Sequence, residues 1–331
     1  MNRPKVTEED DINFLMATPK VCSATEAARV QPDEAKAPAH DAFTRLLHRL
    51  EPDAATLWQA AATQIERRGG VLVVDDSTLD QPYAEKRALV QRYWSGNHHA
   101  VVEGINRITL LWTDGDRHVP MDYRVYDKPG DALTKNHHFR ALVDPAHERG
   151  FVPECVVFDS WYSSLENLKR IRSSSWAWLT RLKANRLVNP DRTGLRPVAR
   201  IETDARGVIV HRKGDGLIRL FLIVAPDGDR EYWATSDLKM TSLTRVRVAG
   251  YAWTIENYHR GIKQHCGVER AQVRAARAQR NPIGLALRAF LRLEWHGYRA
   301  GLSWFEAKTA IIRPAIRAYL AHPLYTLPAT A

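Results

Sequence analysis

The strongest constraint on the fold lies between residues 71 and 182, where short apolar runs and amphipathic ones follow each other in a fixed order. VLVVDD (71–76) reads as a buried strand running into two acids. VVEGINRITLLW (101–112) and HVPMDYRVYD (118–127) follow it. Asp114-Gly115 lies between them, a pair that favours hairpins because both residues tolerate positive φ. NHHFRALVDPAHERG (136–150) predicts a helix with a break near Pro145. ECVVFD (154–159) is a second buried strand ending in an acid, SSLENLKRIR (163–172) a helix, and WAWLTRL (176–182) a further strand. Three strands, helix, strand, helix, strand predicts an α/β fold: a mixed sheet with helices packed on it.

The flanks have a different texture. Residues 1–68 read as helical. Phe43, Leu46, Leu47 and Leu50 recur at helical spacing, and ATLWQAAATQIERR (55–68) is rich in helix formers up to Gly69-Gly70. Residues 183–248 carry the turn clusters NPDRTG, TDARG, RKGDG and APDGD between short apolar runs, which predicts an all-β insertion. Residues 249–331 return to helix. The expected divisions are therefore 1–68 (helical), 69–182 (first part of the core), 183–248 (β-rich insertion) and 249–331 (C-terminal helical part).

Charge narrows the partners. Lys and Arg outnumber Asp and Glu 48 to 38, a formal net charge of +10, which favours a polyanion such as nucleic acid. Cys22, Cys155 and Cys266 are far apart and no CxxC pair occurs, which argues against a zinc ribbon or a disulfide frame and for a reducing cytoplasm. No apolar run reaches membrane-spanning length. The acidic N-terminus lacks the apolar stretch of a secretory leader.

The chemistry points to carboxylates. Asp75-Asp76 and Asp159 follow apolar strands, where a rigid backbone delivers side chains out of the core. Asp-Ser-Thr is also good turn chemistry. Ser163 and Glu166 have capping-box spacing, which leaves Asp159 free of capping duty. Glu256 sits in TIENYHRGIKQHCGVERAQVR (254–274) with Arg260 and Lys263 on one helical face. That face reads either as a surface ion-pair ladder or as a metal-binding acid beside DNA-binding cations. Three acids in a basic α/β protein suit a hard cation such as Mg²⁺. His265 and Cys266 have no partners at ligand spacing. NHH occurs at 97–99 and 136–138 and reads as polar, DNA-facing loop. Trp94 and Trp161-Tyr162 read first as core and second as base-stacking surfaces. Lys183, Arg186, Arg206, Arg212 and Lys213 make the β-rich segment basic, as phosphate contacts or a solvated face.

DDSTLDQPYA, YWSGNHHAVVEGINRITLLWTDGD, VVFDSWYSSLENLKRI, WLTRLKANRLVNP and the 254–274 stretch, in this order and spacing, resemble the DDE transposases of bacterial insertion sequences, of the insertion-sequence-4 and insertion-sequence-701 type. The resemblance spans most of the chain. It implies an RNase H-like core interrupted by an all-β insertion, and an N-terminal region that helps bind transposon ends. The catalytic and metal-binding acids it implies are Asp76, with Asp75 the one-residue alternative, then Asp159 and Glu256. Two Mg²⁺ or Mn²⁺ ions, cleavage at transposon ends and attack of the freed 3′-hydroxyl on target DNA follow from it. So do double-stranded DNA partners, a homodimeric synaptic complex, and a place on the nucleoid in a bacterial cytoplasm. Lys263 matches the last position of the family's Tyr-Arg-Glu-Lys signature; the Tyr and Arg positions fall on Ala249 and Ala252. Arg260 is the candidate displaced cation. Lys263, Arg260, Lys183 and Arg186 are the expected DNA contacts. The two alanines leave open a DNA-binding protein without catalysis, or a nuclease without strand transfer.

Overall fold

The computed structural model describes residues 4–84, 86–95, 99–270 and 272–323. Four helices come first: α1 (Glu8–Ala17), α2 (Ala24–Arg29), α3 (His40–Arg49) and α4 (Ala54–Ala61). Strands β1 (Val71–Asp80), β2 (Gln91–Ser95), β3 (Ala100–Thr113) and β4 (His118–Val125) follow, then α5 (Lys128–Asp131), α6 (Lys135–Glu148), β5 (Cys155–Phe158), α7 (Leu165–Ser173) and β6 (Trp178–Leu182). The β-rich segment supplies β7 (Leu187–Val188), β8 (Arg196–Pro197), β9 (Val208–Arg212), β10 (Gly216–Val224) and β11 (Arg230–Thr235). Helices α8 (Ser242–His265), α9 (Ala276–Ala300) and α10 (Trp304–Ala321) complete the chain.

The chain forms two compact units, one of residues Ala54–Ala84 and Leu89–His259, the other of Met1–Asp53, Glu85–Ala88 and Arg260–Ala331. The first is built on a sheet of order β2-β3-β1-β5-β6-β11-β10-β9, with β4 also on β3. β1 pairs antiparallel with β3 along its whole length, from Val71↔Thr113 to Asp80↔Gly104. It pairs parallel with β5 only from Val71↔Cys155 to Val74↔Phe158. β6 is parallel to β5, and β11 returns antiparallel beside β6. Three antiparallel strands followed by two parallel ones, in the order β4-β3-β1-β5-β6, is the RNase H-like arrangement expected from the sequence. Val71–Val74 and Cys155–Phe158 are buried, as strands covered on both faces must be. Beyond β6 the β-rich segment carries the same sheet onward through β11, β10 and β9, while β7 and β8 form a separate two-stranded ladder.

Several local expectations change. The predicted 55–68 helix stops at Ala61, and a 3-10 turn over Ala62–Gln64 leads to extended Ile65. Arg117 Nη1 donates to Gln64 O at 3.1 Å, so that carbonyl is satisfied without a further helical turn. Helix α6 runs through Pro145 to Glu148 without the expected break. The cap of α7 is Ser164, which accepts from Asn167 N; Ser163 instead donates to Ser160 O at 2.7 Å. Asp159 does cap, accepting from Trp161 N at 2.8 Å at the start of the Ser160–Tyr162 3-10 turn.

The second unit is a helical bundle in which α9 packs on α1, α3 and α10. Asn281 Nδ2 on α9 donates to Leu47 O and Leu50 O, satisfying the C-terminal end of α3. Lys308 of α10 does the same for α1 through Leu15 O at 2.8 Å and Thr18 O at 2.7 Å. Gly261 permits close packing, since a Cβ there would lie 2.9 Å from the Phe290 ring.

Candidate active site

The site arises because β1 outlasts its parallel neighbour. Pairing with β5 ends at Val74↔Phe158, so Asp75 is the first β1 residue past it and Asp159 the first residue past β5. The two carboxylates emerge side by side at the carboxyl edge of the parallel strands. The acids of β1 therefore lie mid-strand, held on the β3 side by Asp75↔Thr109 and Asp76↔Ile108, rather than at a strand end. Glu256 of α8 lines the same cavity, of ≈ 450 Å³, together with Asp75, Asp159, Ser160, Arg181 and Trp253. One helical turn beyond Glu256, buried His259 sets Nδ1 3.9 Å from Asp75 Oδ2.

Strand alternation sends Asp76 to the other face. There Tyr162 Oη donates to its Oδ1 at 2.6 Å, while Asn106 Nδ2 at 2.7 Å and Lys135 Nζ at 2.6 Å donate to its Oδ2. Both Asp76 oxygens are thus engaged by protein donors. Among the described residues no side chain donates a hydrogen bond to Asp75 in this way. Burial, and then the charges of Asp76, Asp159 and Glu256, push its carboxyl well above the usual range, with only a backbone N–H opposing. Asp159 is also raised, by burial first and Asp76 second, while N–H donation from Trp161 and Tyr162 and the Lys135 charge pull it back.

Asp159 also borders a second cavity of ≈ 1140 Å³, lined by Asp76, Arg92, Lys128, Lys135, Lys183 and Arg186 and by the exposed indoles of Trp94 and Trp161. Lys183 Nζ stands 5.7 Å from the Trp161 ring centroid. Tyr162, by contrast, is core, stacked on Phe139 with ring centroids 5.4 Å apart. Lys263 and Arg260 belong to the other unit; Lys263 pairs with Glu269 at 3.0 Å and Arg260 is exposed on α8. Arg212 is a packing residue rather than a surface cation, donating to Ser163 O at 3.1 Å from a buried position. In the second NHH, Asn136–His138 open α6: His137 forms a capping box with Thr134, and buried His138 faces Asp131. Asn97 and His98 of the first lie outside the described residues.

Sequence reading missed Tyr162, Asn106 and Lys135 as holders of Asp76, and His259 and Arg181 as neighbours of the three acids. His259 carried a signal, lying three residues after Glu256 on a helix. The others reach the site through long-range sheet and helix packing.

Carboxylate oxygens are the donor set a hard divalent cation requires. Among the described residues no three such side chains converge tightly enough to hold a metal ion as they stand. The donor chemistry nevertheless fits, because Asp75, Asp159 and Glu256 line one cavity and offer it carboxylate oxygens. No helix among the described residues is long and apolar enough to cross a membrane.

No curated protein sequence matches the chain. Among solved structures it is similar to the piggyBac transposase synaptic complex with hairpin DNA, at 11% identity and a TM-score of 0.55, covering 98% of this chain and 74% of that one. The Drosophila P element transposase strand transfer complex matches less closely, at 9% identity and a TM-score of 0.30, covering 59% of this chain and 48% of that one. The first likeness supports the RNase H-like fold. The family model for the transposase DDE domain matches residues 66–291, the stretch that carries all four acids, and the chain belongs to that family as a DDE transposase.

Proposed function

We propose that Asp75, Asp159 and Glu256 are the catalytic carboxylates and together hold two Mg²⁺ or Mn²⁺ ions for cleavage at transposon ends and transfer of the freed 3′-hydroxyl into target DNA. The observation that carries this choice is the register: Asp75 and Asp159 stand beside each other past the last β1–β5 pair and share one cavity with Glu256. Asp76, whose oxygens are taken by Tyr162, Asn106 and Lys135, acts as the support that fixes the carboxyl edge of β1 and the Asp159 loop.

When bound, paired divalent ions supply an activated attacking oxygen and a stabilised leaving oxygen at phosphorus. The chain's own residues do the rest. Asp75 is anchored on a central strand and Asp159 by its own capping bond to Trp161 N, so both carboxylates are pre-positioned. Lys183 and Arg186 in the larger cavity take up the phosphates of double-stranded DNA, and Lys263 and Arg260 of α8 are further DNA contacts. Activity requires a homodimeric synaptic complex on two DNA ends, in a bacterial cytoplasm and on the nucleoid.

Asp159→Ala tests the reading. It abolishes Mg²⁺-dependent end cleavage and leaves duplex affinity within a few fold; cleavage at the wild-type rate would sink the assignment. Joined product from labelled ends, Mg²⁺ and target plasmid supports transfer, whereas cut ends alone mark a nuclease and a mobility shift alone a DNA-binding protein.

A further inference from the structure

The sheet register places one cation in line with the acids. Pairing of β5 with β6 ends at Phe158↔Thr180, so Arg181 stands beside Asp159 as Asp159 stands beside Asp75. On its other side Arg181 is in register with Trp233 of β11. Asp75, Asp159, Arg181 and Trp233 thus form one row across four adjacent strands, and all four line the ≈ 450 Å³ cavity. With neighbouring strands about 4.8 Å apart, the Arg181 backbone lies about 10 Å from that of Asp75, a gap its own side chain bridges much of the way.

Arg181 is the one cationic side chain among the described residues lining this cavity. Across from it the α8 wall offers Ala249 and Ala252, which are too short to reach anything in the centre. Its guanidinium is oriented without being consumed by the catalytic acids. Nη1 meets Glu231 Oε1 at 2.8 Å, the group lies 5.2 Å from the Trp233 ring centroid, and Trp233 Nε1 in turn holds Glu231 Oε2 at 2.9 Å. The Arg181 and Glu231 side chains are 51% and 40% exposed, and ion pairs so solvated exchange readily for a better anion.

We propose that Arg181 binds a DNA phosphate at the cleaved junction, donating through its planar fork to the non-bridging oxygens, with Trp233 and Glu231 setting the plane of that fork. The proposal rests on the reading of Asp75, Asp159 and Glu256 as the cleavage site. It makes Arg181 the cation that offsets phosphate charge in a cavity whose other charged lining residues, among those described, are the acids Asp75, Asp159 and Glu256, a part that no basic residue of α8 plays there.

The test uses the full chain, a labelled duplex carrying the element end, and Mg²⁺, and reads duplex affinity and single-turnover cleavage separately. Arg181→Ala slows cleavage at saturating DNA by about 100-fold, as loss of one charged donor at a reacting phosphate does, while affinity falls less than about tenfold. Arg181→Lys recovers part of the rate. Glu231→Gln, which releases the guanidinium, tightens duplex binding. Ala252→Arg in the Arg181→Ala background restores cleavage by at least about tenfold by returning a cation to the same cavity. Circular dichroism of each variant verifies the fold. Wild-type cleavage by Arg181→Ala overturns the proposal. So does an equal loss in Glu231→Gln, which would show that only the structural pair matters. If Asp159→Ala is dead while Arg181→Ala cleaves normally, this inference fails alone; if Asp159→Ala also cleaves, the assignment of the site fails first.

Discussion

Tyr162 donates its hydroxyl to Asp76 across 2.6 Å, from a side chain that is fully buried and stacked on Phe139. The bond ties the 3-10 turn after β5 to the middle of β1, so the loop bearing Asp159 and the strand bearing Asp75 are fixed to each other. Tyr162→Phe keeps the stacking and removes the donor. It should cost about 1.5–3 kcal/mol in urea unfolding, the usual worth of a hydrogen bond to a charged acceptor. End cleavage should fall modestly, since Asn106 and Lys135 still hold Asp76.

Trp161 and Trp94 stand exposed over the basic cavity beside Asp159. Trp161→Ala should weaken binding of single-stranded element-end DNA by about 1–3 kcal/mol, the range for one base–aromatic stack, as read by fluorescence anisotropy. An unchanged affinity would assign that indole to the solvated surface.

Lys308 is buried with its ammonium on Leu15 O and Thr18 O, at the negative end of α1. Burial lowers its pKa. Lys308→Met should lower stability by about 2–4 kcal/mol, because two carbonyls lose a charged donor inside the bundle. Thermal melting checks this.

Asp11 on α1 gives a pH signature. Burial, and secondarily the charge of Asp10, raise its carboxyl from 3.8 to about 6. The folded state therefore binds this proton more tightly than the unfolded chain. Asp11 costs stability above pH 6, and the cost is relieved as pH falls through 6 toward 3.8. Asp11→Asn should stabilise the protein by about 1–2 kcal/mol at pH 7, a discounted share of what a shift of that size allows, and by nothing near pH 3. Urea unfolding at both pH values reads the difference.

Much of the core was legible because it rests on local signals. The apolar runs at 71–74 and 155–158, the Asp114-Gly115 hairpin and the strand–helix order all appear in the RNase H-like sheet. What escaped depends on register. β1 continues to Asp80 because β3 pairs with it throughout, and no property of VLVVDD reveals that partner. Whether Asp75 or Asp76 faces α8 is a question of strand parity, which changes with a one-residue slip. The cap of α7 also moved by one residue, since SSL offers two serines and the 3-10 turn takes the first. Arg181 was invisible for the same reason: its relation to Asp159 exists only once β5 and β6 lie parallel.

The central claim is that Asp75, rather than Asp76, joins Asp159 and Glu256 at the metal, and a metal-specificity switch tests it most directly. A cysteine ligand binds Mg²⁺ poorly and accepts softer Mn²⁺ or Cd²⁺. Single-turnover end cleavage by Asp75→Cys should be lost in Mg²⁺ and return in Mn²⁺ supplemented with Cd²⁺. Asp76→Cys should show the same relative defect in every metal, as a residue that supports the strand would. Thiophilic rescue of Asp76→Cys, with none for Asp75→Cys, would contradict the account.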